Sequence, residues 1–440
     1  MSQRGKDRGR PSLLGWLLHA FRFVRNYAVH KRDARKASHE LAEHALPASM
    51  RQELVHELFA ALQSEAQGDA APGGEAHART SAERAERERA LIHRIRHETE
   101  TANRNNVTRT EAYRAVYYRC PELQWALLAH LVSRNGGWNM TDLQGELLPE
   151  LMDEESRLHA FILLERINAL IFHDAYPQLL LYEASRKEGR DLSALLPSFG
   201  VSRFMLPVWS QFWQRRDAIM LTTALIVNEQ HVIEQPLVQS EYFKAHVLKK
   251  TPFLLQIPLQ TNTVVMPYGA PQVNGGDMML AGLVLEHFSS LHERIEFGKR
   301  LYAILLRVPE VLAGVTAFVK GVHHTGSRAD YAPHLFTKER EGAQGAGGAP
   351  YKERLEGCSL LTGAKKLLSP ELAAAWADVP AELPERIDWL EDAPSILPYF
   401  EALPLPEIFE ITFEHCMAFN KLELAVQAKQ RFGGLNGKRR

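Results

Sequence analysis

A helical spacing of apolar residues runs through most of the chain and limits its fold more than any other feature. Between residues 110 and 248, apolar side chains recur every three or four positions, which places them on one face of an α-helix. A further helical region is predicted over Met278–Val319, interrupted near Pro309. The alternation typical of strands is scarce, so we predict a mainly α, multi-helix globular domain. The helical segments predicted between residues 110 and 248 are Thr110–Tyr118, Leu123–Ser133, Glu154–Phe172, Gln178–Lys187, Phe204–Gln214, Asp217–Pro236 and Ser240–Leu248.

One stretch departs from the helical spacing. Pro252, Pro258, Pro267 and Pro271 punctuate the β-branched run "FLLQIPLQTNTVVMPYGAP". Proline has no backbone N–H, so within sheets it is confined to strand edges and strand ends. We therefore predict an extended Pro-rich connection or a small hairpin near residues 252–271.

Changes in composition divide the chain into regions. The run "SEAQGDAAPGGEAHARTS" mixes proline and glycine with small polar residues, which is typical of a flexible linker. A second Gly-rich run extends from Gly342 to Pro350. The predicted regions are a basic amphipathic N-terminal helix (1–45), a short helical segment (46–64), a flexible linker (65–82), a charged helix (83–102), the main helical domain (103–335), a Gly-rich loop insert (336–352) and a C-terminal helical part of the same domain with a basic tail (353–440).

The N-terminal run "LLGWLLHAFRFVRNYAVHKR" predicts an amphipathic helix, because its apolar residues share one arc, opposite His19, Arg22 and Arg25. An aromatic-rich apolar face beside arginine suits an anionic membrane surface. Packing of the same face on this protein or on a partner protein is the alternative, since core helices show the same pattern. The candidate membrane-contact residues are Leu13, Leu14, Trp16, Leu17, Phe21 and Val24.

The cysteines and the net charge indicate the cellular compartment and the type of partner to expect. Cys120, Cys358 and Cys416 lie far apart in the sequence and form no Cys-x-x-Cys pair, and their odd number favours a reducing compartment. No run of about 18 uninterrupted apolar residues predicts a conventional transmembrane helix. The expected location is the cytoplasm, with membrane association through the N-terminal helix if that helix binds lipid. The net charge of -1 provides no overall field to attract nucleic acid.

Several stretches resemble catalytic or cofactor-binding motifs but lack a feature that the motif requires. In "HELAEH", His39 and His44 are five residues apart, whereas a zincin helix needs two histidines four apart on one face. "GAGGAP" is no dinucleotide fingerprint, because no strand is predicted before it. The end of "HLVSRNGGWN" resembles the catalytic helix of lysozyme-like lytic transglycosylases, but Asn135 stands where the acid is required, and an amide cannot protonate the leaving oxygen. We expect no cofactor.

Two helical segments combine acidic residues with histidine. Glu286, Glu293 and Glu296 share one face, with His292 beside them. The run "NEQHVIE" offers Asn228, Glu229 and Glu234, with His231 nearby. Carboxylates from facing helices can bind metals in this way. Ion pairs with Lys299 and Arg300, one turn further on, are the simpler interpretation. We therefore assign no metal ligand.

The most unusual polar residues lie in four segments, 104–110, 134–139, 173–178 and 323–334. Loops held by a rigid scaffold often carry binding residues, although helix caps and turns use the same residue types. We expect Gly136 and Gly137 to end the helix that precedes them, and Pro177 to break the next long helix. The ligand-binding candidates are Arg104, Asn105, Arg134, Asn135, Asn139, His173, Asp174 and Arg328.

Three of these stretches resemble a known family. "NRNNVTRTEAYRAVYYRCPELQWALLAHLVSRNGGWNMTDLQGE", "FHDAYPQLLLYEAS" and "LIVNEQHVIEQPLV" occur in order and are similar to the YppC-like proteins, a bacterial family of unknown function. The resemblance covers roughly Asn103 to Phe432. It implies a shared helical fold and assigns no catalytic residue.

These observations favour an interaction or scaffold protein that attaches to a membrane surface or a protein partner through its N-terminal helix. The alternative is an enzyme or ligand-binding protein whose four polar segments converge in one pocket. The sequence does not identify the small molecule that such a pocket would bind. Nucleic-acid binding through the basic termini is the third and least favoured hypothesis.

Overall fold

The computed structural model describes residues 29–66, 78–248, 262–269, 279–340, 351–385 and 387–436. The predicted mainly α fold is confirmed. The helices are α1 (29–43), α2 (Gln52–Ala66), α3 (Ala78–Ala102), α4 (Asn106–Arg119), α5 (Gln124–Asp142), α6 (Leu148–Leu151), α7 (Glu154–Glu188), α8 (Met205–Arg215), α9 (Ala218–Ile233), α10 (Glu241–Phe243), α11 (Leu291–Arg307), α12 (Pro309–Gly321), α13 (Leu372–Ala375) and α14 (Thr412–Asn436). Short 3-10 helices cover Ser193–Phe199, Arg328–Asp330 and Ala393–Phe400, and π-helical turns cover Glu234–Val238 and Lys244–Leu248.

Helix α5 lies at the centre of the fold and contacts α4, α7, α9 and α11. Its side chains Trp125, Leu131 and Trp138 are almost completely buried. The same hydrophobic core includes Leu58 of α2 and Ile95 of α3. The predicted helical segment 46–64 and charged helix 83–102 therefore pack on the main helical body. Most of the predicted linker, residues 67–77, lies outside the described residues, as do residues 341–350 of the Gly-rich insert.

The prediction that Gly136 and Gly137 end a helix is wrong. Helix α5 continues through both glycines to Asp142. Each glycine costs a helix about 1 kcal/mol relative to alanine, but here the missing side chain leaves room for neighbours. A Cβ atom on Gly137 would lie 2.4 Å from Asn106 Oδ1 and 2.7 Å from His324 Nε2. Close packing of two polar side chains against the helix explains the glycine.

The predicted break at Pro177 is also wrong, because α7 runs without interruption from Glu154 to Glu188. Its N-terminus is capped by Asp153, whose side chain accepts a hydrogen bond from Ser156 N at 2.7 Å. Its C-terminus is closed by Gly189 in the left-handed conformation, with φ of 68°. Burial of the whole segment from Asp174 to Ser185 stabilises the helix despite the proline.

The strands form three small pairs. Strand β1 (Thr263–Pro267) pairs antiparallel with β2 (Leu280–Val284), with Val265 opposite Gly282. The expected hairpin near 252–271 thus contains β1, but its second strand occupies 280–284, where the sequence predicted the start of a helix. Strand β3 (Phe336–Thr337) pairs parallel with β6 (Leu367–Leu368), and β4 (Leu355–Glu356) pairs antiparallel with β5 (Ser359–Leu360).

The β4–β5 hairpin is fastened to α14 along one face of that helix. Cys358 in the hairpin turn forms a disulfide with Cys416, and their Cα atoms are 5.1 Å apart. One turn further along α14, Asn420 donates a hydrogen bond to Gly357 O at 2.9 Å. Glu423 then accepts hydrogen bonds from the backbone N–H groups of Arg354 and Leu355. The disulfide was not expected from the sequence, because 58 residues separate its cysteines.

Reduction of this disulfide is expected to lower the free energy of unfolding by about 4 kcal/mol, because the unfolded chain loses a cross-link that closes a long loop, with the two cysteines 58 positions apart. Urea denaturation with and without a phosphine reductant measures it. The Cys358→Ser variant should show the same stability in both conditions, and an equal response of both proteins to the reductant would contradict the prediction.

Among the described helices, no single one is long and apolar enough to cross a membrane. Helices α11 and α12 pass the test of length and composition only when taken together, and they are bent by 92° at Val308.

Candidate functional site

A groove of about 620 Å³ lies between α7, the end of α9 and the segment 384–395. One wall is formed by Leu170 and Asp174 of α7, together with His231 of α9 and Glu234 of the π-helical turn. The opposite wall belongs to the segment 384–395. The described residues on that wall are Pro384, Glu385, Ile387, Asp388, Trp389, Leu390, Glu391, Asp392 and Ser395. Arg386 lies outside the described residues.

A hydrogen-bonded network fixes the inner wall of the groove. The buried carboxylate of Asp174 accepts hydrogen bonds from Asn228 Nδ2 at 2.6 Å and from Gln178 Nε2 at 2.8 Å. Asn228 Oδ1 in turn accepts from the indole N–H of Trp389 at 2.9 Å. The Trp389 ring stacks on His231 with centroids 4.0 Å apart. The network therefore connects α7 and α9 to the outer wall and holds an aromatic face in place.

The charge of the groove is negative. Two of its carboxylates form ion pairs with arginines that are not among the lining residues, Glu234 with Arg294 and Asp388 with Arg203. Three more, those of Glu385, Glu391 and Asp392, are exposed and form no ion pair within the described part of the chain. No lysine or arginine is among the described lining residues. The groove is thus suited to a positively charged group.

The outer wall also exposes apolar side chains. Ile387 is 87% exposed, and Leu383 and Leu397 on the same part of the chain are also exposed. Isolated exposed apolar residues are normal, but Ile387 itself lines the groove. An apolar side chain beside exposed carboxylates favours a ligand that is both cationic and apolar.

Glu229, next to Asn228 in the sequence, is a partly buried carboxyl group. Burial raises the pKa of Glu229 to about 8, and the charge of Asp174 raises it further. Hydrogen bonds from Gln230 and the Trp125 indole act in the opposite direction. At neutral pH, Glu229 is therefore mostly protonated and adds no charge to the groove.

Of the eight ligand-binding candidates, Asp174 lines the groove. His173 is half-buried on the same helix and is not among the lining residues. The residues that sequence reasoning did not select are Asn228, His231, Trp389 and the exposed carboxylates. The run "NEQHVIE" contains Asn228 and His231, but its carboxylates suggest a metal site rather than a wall of this groove.

Arg328 belongs to a separate buried cluster. Its guanidinium binds Asp142 twice, from Nε to Oδ1 at 2.8 Å and from Nη2 to Oδ2 at 2.7 Å. It also donates to the Tyr331 hydroxyl at 2.6 Å and to Asn139 Oδ1 at 3.1 Å. Tyr331 in turn lies 2.7 Å from Nε2 of His415, whose pKa is held well below its usual value by burial. A cavity of about 30 Å³ adjoins this cluster, large enough for water only.

Arg134 and Asn135 serve the helical framework. Arg134 donates to Val322 O at the end of α12, and its guanidinium lies 4.7 Å from the centre of the Phe318 ring. Burial lowers the pKa of Arg134 to about 10. Asn135 donates to Val265 O and accepts from Val265 N, both at 2.8 Å, which fastens β1 to α5. These contacts stabilise a helix C-terminus and a strand edge.

Arg104 and Asn105 lie at the start of α4. Asn105 is the N-cap, accepting from Thr108 N at 3.0 Å, and its amide donates to Asp378 at 2.8 Å. Arg104 pairs with the same aspartate at 3.3 Å. The eight candidates therefore do not share one cavity. Asn139 and Arg328 are in contact, Arg104 and Asn105 share Asp378, and the others occupy separate positions.

One of the ion pairs predicted for the acidic segment 286–296 is present among the described residues, where Lys299 donates to Glu296 at 2.6 Å. Within the described ranges, no group of three or more His, Cys, Asp or Glu side chains is arranged to hold a metal ion.

Comparison with known proteins places the chain in a family. The profile of the family described as "Protein of unknown function (DUF2515)" matches residues 101–415. The chain belongs to this family. It is 44% identical over 242 residues to "Uncharacterized protein YppC" of Bacillus subtilis (strain 168), which is 55% of this chain and 73% of that protein. No solved structure matches. The resemblance to YppC-like proteins is confirmed, and both the groove and the Arg328 cluster lie within the matched family region.

Proposed function

We propose that the protein is a non-enzymatic interaction protein whose groove binds a cationic, partly apolar segment of a ligand or partner. The observation that carries this proposal is the lining of the groove, where Glu385, Glu391 and Asp392 stand beside the exposed Ile387 without ion-pair partners in the described chain. The Trp389 ring, which stacks on His231, adds an aromatic side chain to the lining. An enzyme built from the four polar segments is less well supported, because their candidate residues mostly bind one another or the backbone.

A labelled amphipathic peptide of leucine and lysine is expected to bind the full chain, with its lysines near the exposed carboxylates. Replacing the three carboxylates together (Glu385→Gln, Glu391→Gln, Asp392→Asn) should weaken binding about tenfold, since each exposed charge pair contributes little alone. Fluorescence anisotropy at low and high salt measures this effect, which should shrink as salt screens the charges.

The matched control removes three exposed carboxylates of α3, Glu83→Gln, Glu86→Gln and Glu100→Gln, which lie outside the groove lining. This variant should bind the peptide as the unchanged protein does. Equal weakening by both sets of substitutions would reduce the effect to overall charge, and the proposed role of the groove would fail.

A second candidate function is attachment to an anionic membrane surface through the predicted N-terminal helix. Its support comes from the sequence, because Trp16, Leu17 and Phe21 share an apolar arc and residues 1–28 lie outside the described residues. We expect the full chain to cosediment with phosphatidylglycerol vesicles, and the Leu17→Glu, Phe21→Glu variant to remain mostly in solution. Because α1 packs on the body of the protein through Leu41, this variant tests the segment more cleanly than deletion of residues 1–45. Equal pelleting of the two proteins would refute the membrane role.

A further inference from the structure

We infer that the groove is the docking site for residues 13–28 of this protein. This inference rests on the proposed function, namely that the groove binds a cationic and partly apolar segment. It goes further by naming the occupant, and it makes the N-terminal residues a competitor of any external ligand.

Charge complementarity is the first argument. Residues 1–28 contain one acidic residue, Asp7, and residues 13–28 contain none. The basic residues of this part of the chain are Arg4, Lys6, Arg8, Arg10, Arg22 and Arg25. The groove presents the opposite charge through Glu385, Glu391 and Asp392, which have no ion-pair partner within the described ranges. Opposite charges on two surfaces of one chain favour their association.

Matching apolar surfaces are the second argument. The predicted helix carries Trp16 and Phe21 on one arc, and such a face requires an apolar surface to cover it. The outer wall of the groove exposes Ile387 beside Trp389. An amphipathic helix laid in a groove is a common mode of peptide recognition, with apolar anchors inside and charges at the rim.

The N-terminal end of α1 lies at the surface, because Val29, its first described residue, is 51% exposed. Docking in the groove and binding to a membrane would use the same apolar arc. The two states are therefore mutually exclusive.

Amide hydrogen exchange of the full chain tests the inference. We expect the Leu17→Glu, Phe21→Glu variant to exchange about tenfold faster than the unchanged protein over residues 387–397, because the covering segment is released. The His19→Ala variant, altered on the polar arc, should keep the original rates. The same acceleration is expected when Glu391→Gln and Asp392→Asn are combined. Unchanged exchange over 387–397 in the Leu17→Glu, Phe21→Glu variant would overturn the inference.

The leucine–lysine peptide separates this inference from the proposed function. If residues 13–28 occupy the groove, the Leu17→Glu, Phe21→Glu variant should bind the peptide about tenfold more tightly than the unchanged protein. Equal affinity would overturn the inference and leave the proposed function standing. Accelerated exchange without peptide binding would support the docked segment and refute the external ligand. Light scattering measures the molar mass in solution. A monomer means that the segment docks on its own chain and a dimer that it docks on a second copy, and either result is consistent with the docking site.

Discussion

Replacing Arg328 by methionine is expected to lower the free energy of unfolding by about 3–5 kcal/mol, because it leaves a buried carboxylate without its partner. Asp142 receives two hydrogen bonds from this guanidinium, of 2.8 and 2.7 Å. Burial raises the pKa of Asp142, and the charge of Arg328 opposes that shift. Tyr331 and Asn139 lose a donor in the same substitution. Urea denaturation followed by circular dichroism measures the loss.

Two companion variants assign this loss to the buried charge. Adding Asp142→Asn to Arg328→Met removes the uncompensated carboxylate, so part of the stability should return. Arg35→Met breaks the exposed pair with Glu407, whose side chains are 60% and 71% exposed, and should cost less than about 1 kcal/mol. In the Arg328→Met variant, the loss should also shrink as pH falls, because a raised pKa in the folded state means that protonation of Asp142 favours folding. An effect no larger than that of Arg35→Met would rule out the buried-charge explanation.

Helix content could be predicted from the sequence because apolar periodicity records which face of each segment is buried. The segments Phe204–Gln214 and Asp217–Pro236 correspond closely to α8 and α9, where Asp217 also supplies an N-cap. The start of the region from Met278 could not be predicted correctly. Its residues Leu280–Val284 are a strand, since they pair with β1 and are largely buried on both sides. A continuous apolar run of this length is compatible with either structure.

The candidate site was harder to predict than the fold because its residues come together from distant parts of the chain. Asp174 is predicted as a polar residue near a proline, but Trp389, to which Asn228 connects it, is 215 positions away. Exposure of Ile387 is likewise a tertiary property. Most polar candidates, such as Asn105 and Asn135, have structural roles, since caps and buried hydrogen bonds require the same residue types as binding sites.

Replacing Gly137 by valine is expected to lower the free energy of unfolding by about 4 kcal/mol, through overpacking and loss of a buried hydrogen bond. Any Cβ at this position falls within 2.4 Å of Asn106 Oδ1 and 2.7 Å of His324 Nε2. These two side chains are themselves hydrogen-bonded at 2.9 Å, and both are buried, so neither can move into solvent. Thermal and urea denaturation of the variant measure the cost.

Gly321 is the matched control, because it also lies in a helix but has no atom within 4 Å of an added Cβ. Gly321→Ala should therefore leave stability unchanged or raise it by up to about 1 kcal/mol. A double-mutant cycle then locates the strain at Gly137. The cost of Gly137→Ala should fall when Asn106 is also changed to alanine, because the nearest obstructing atom is gone. If the costs of the two substitutions simply add, Gly137 is required for a reason other than this contact. A strong coupling between them would show that close packing of Asn106 requires the glycine in α5.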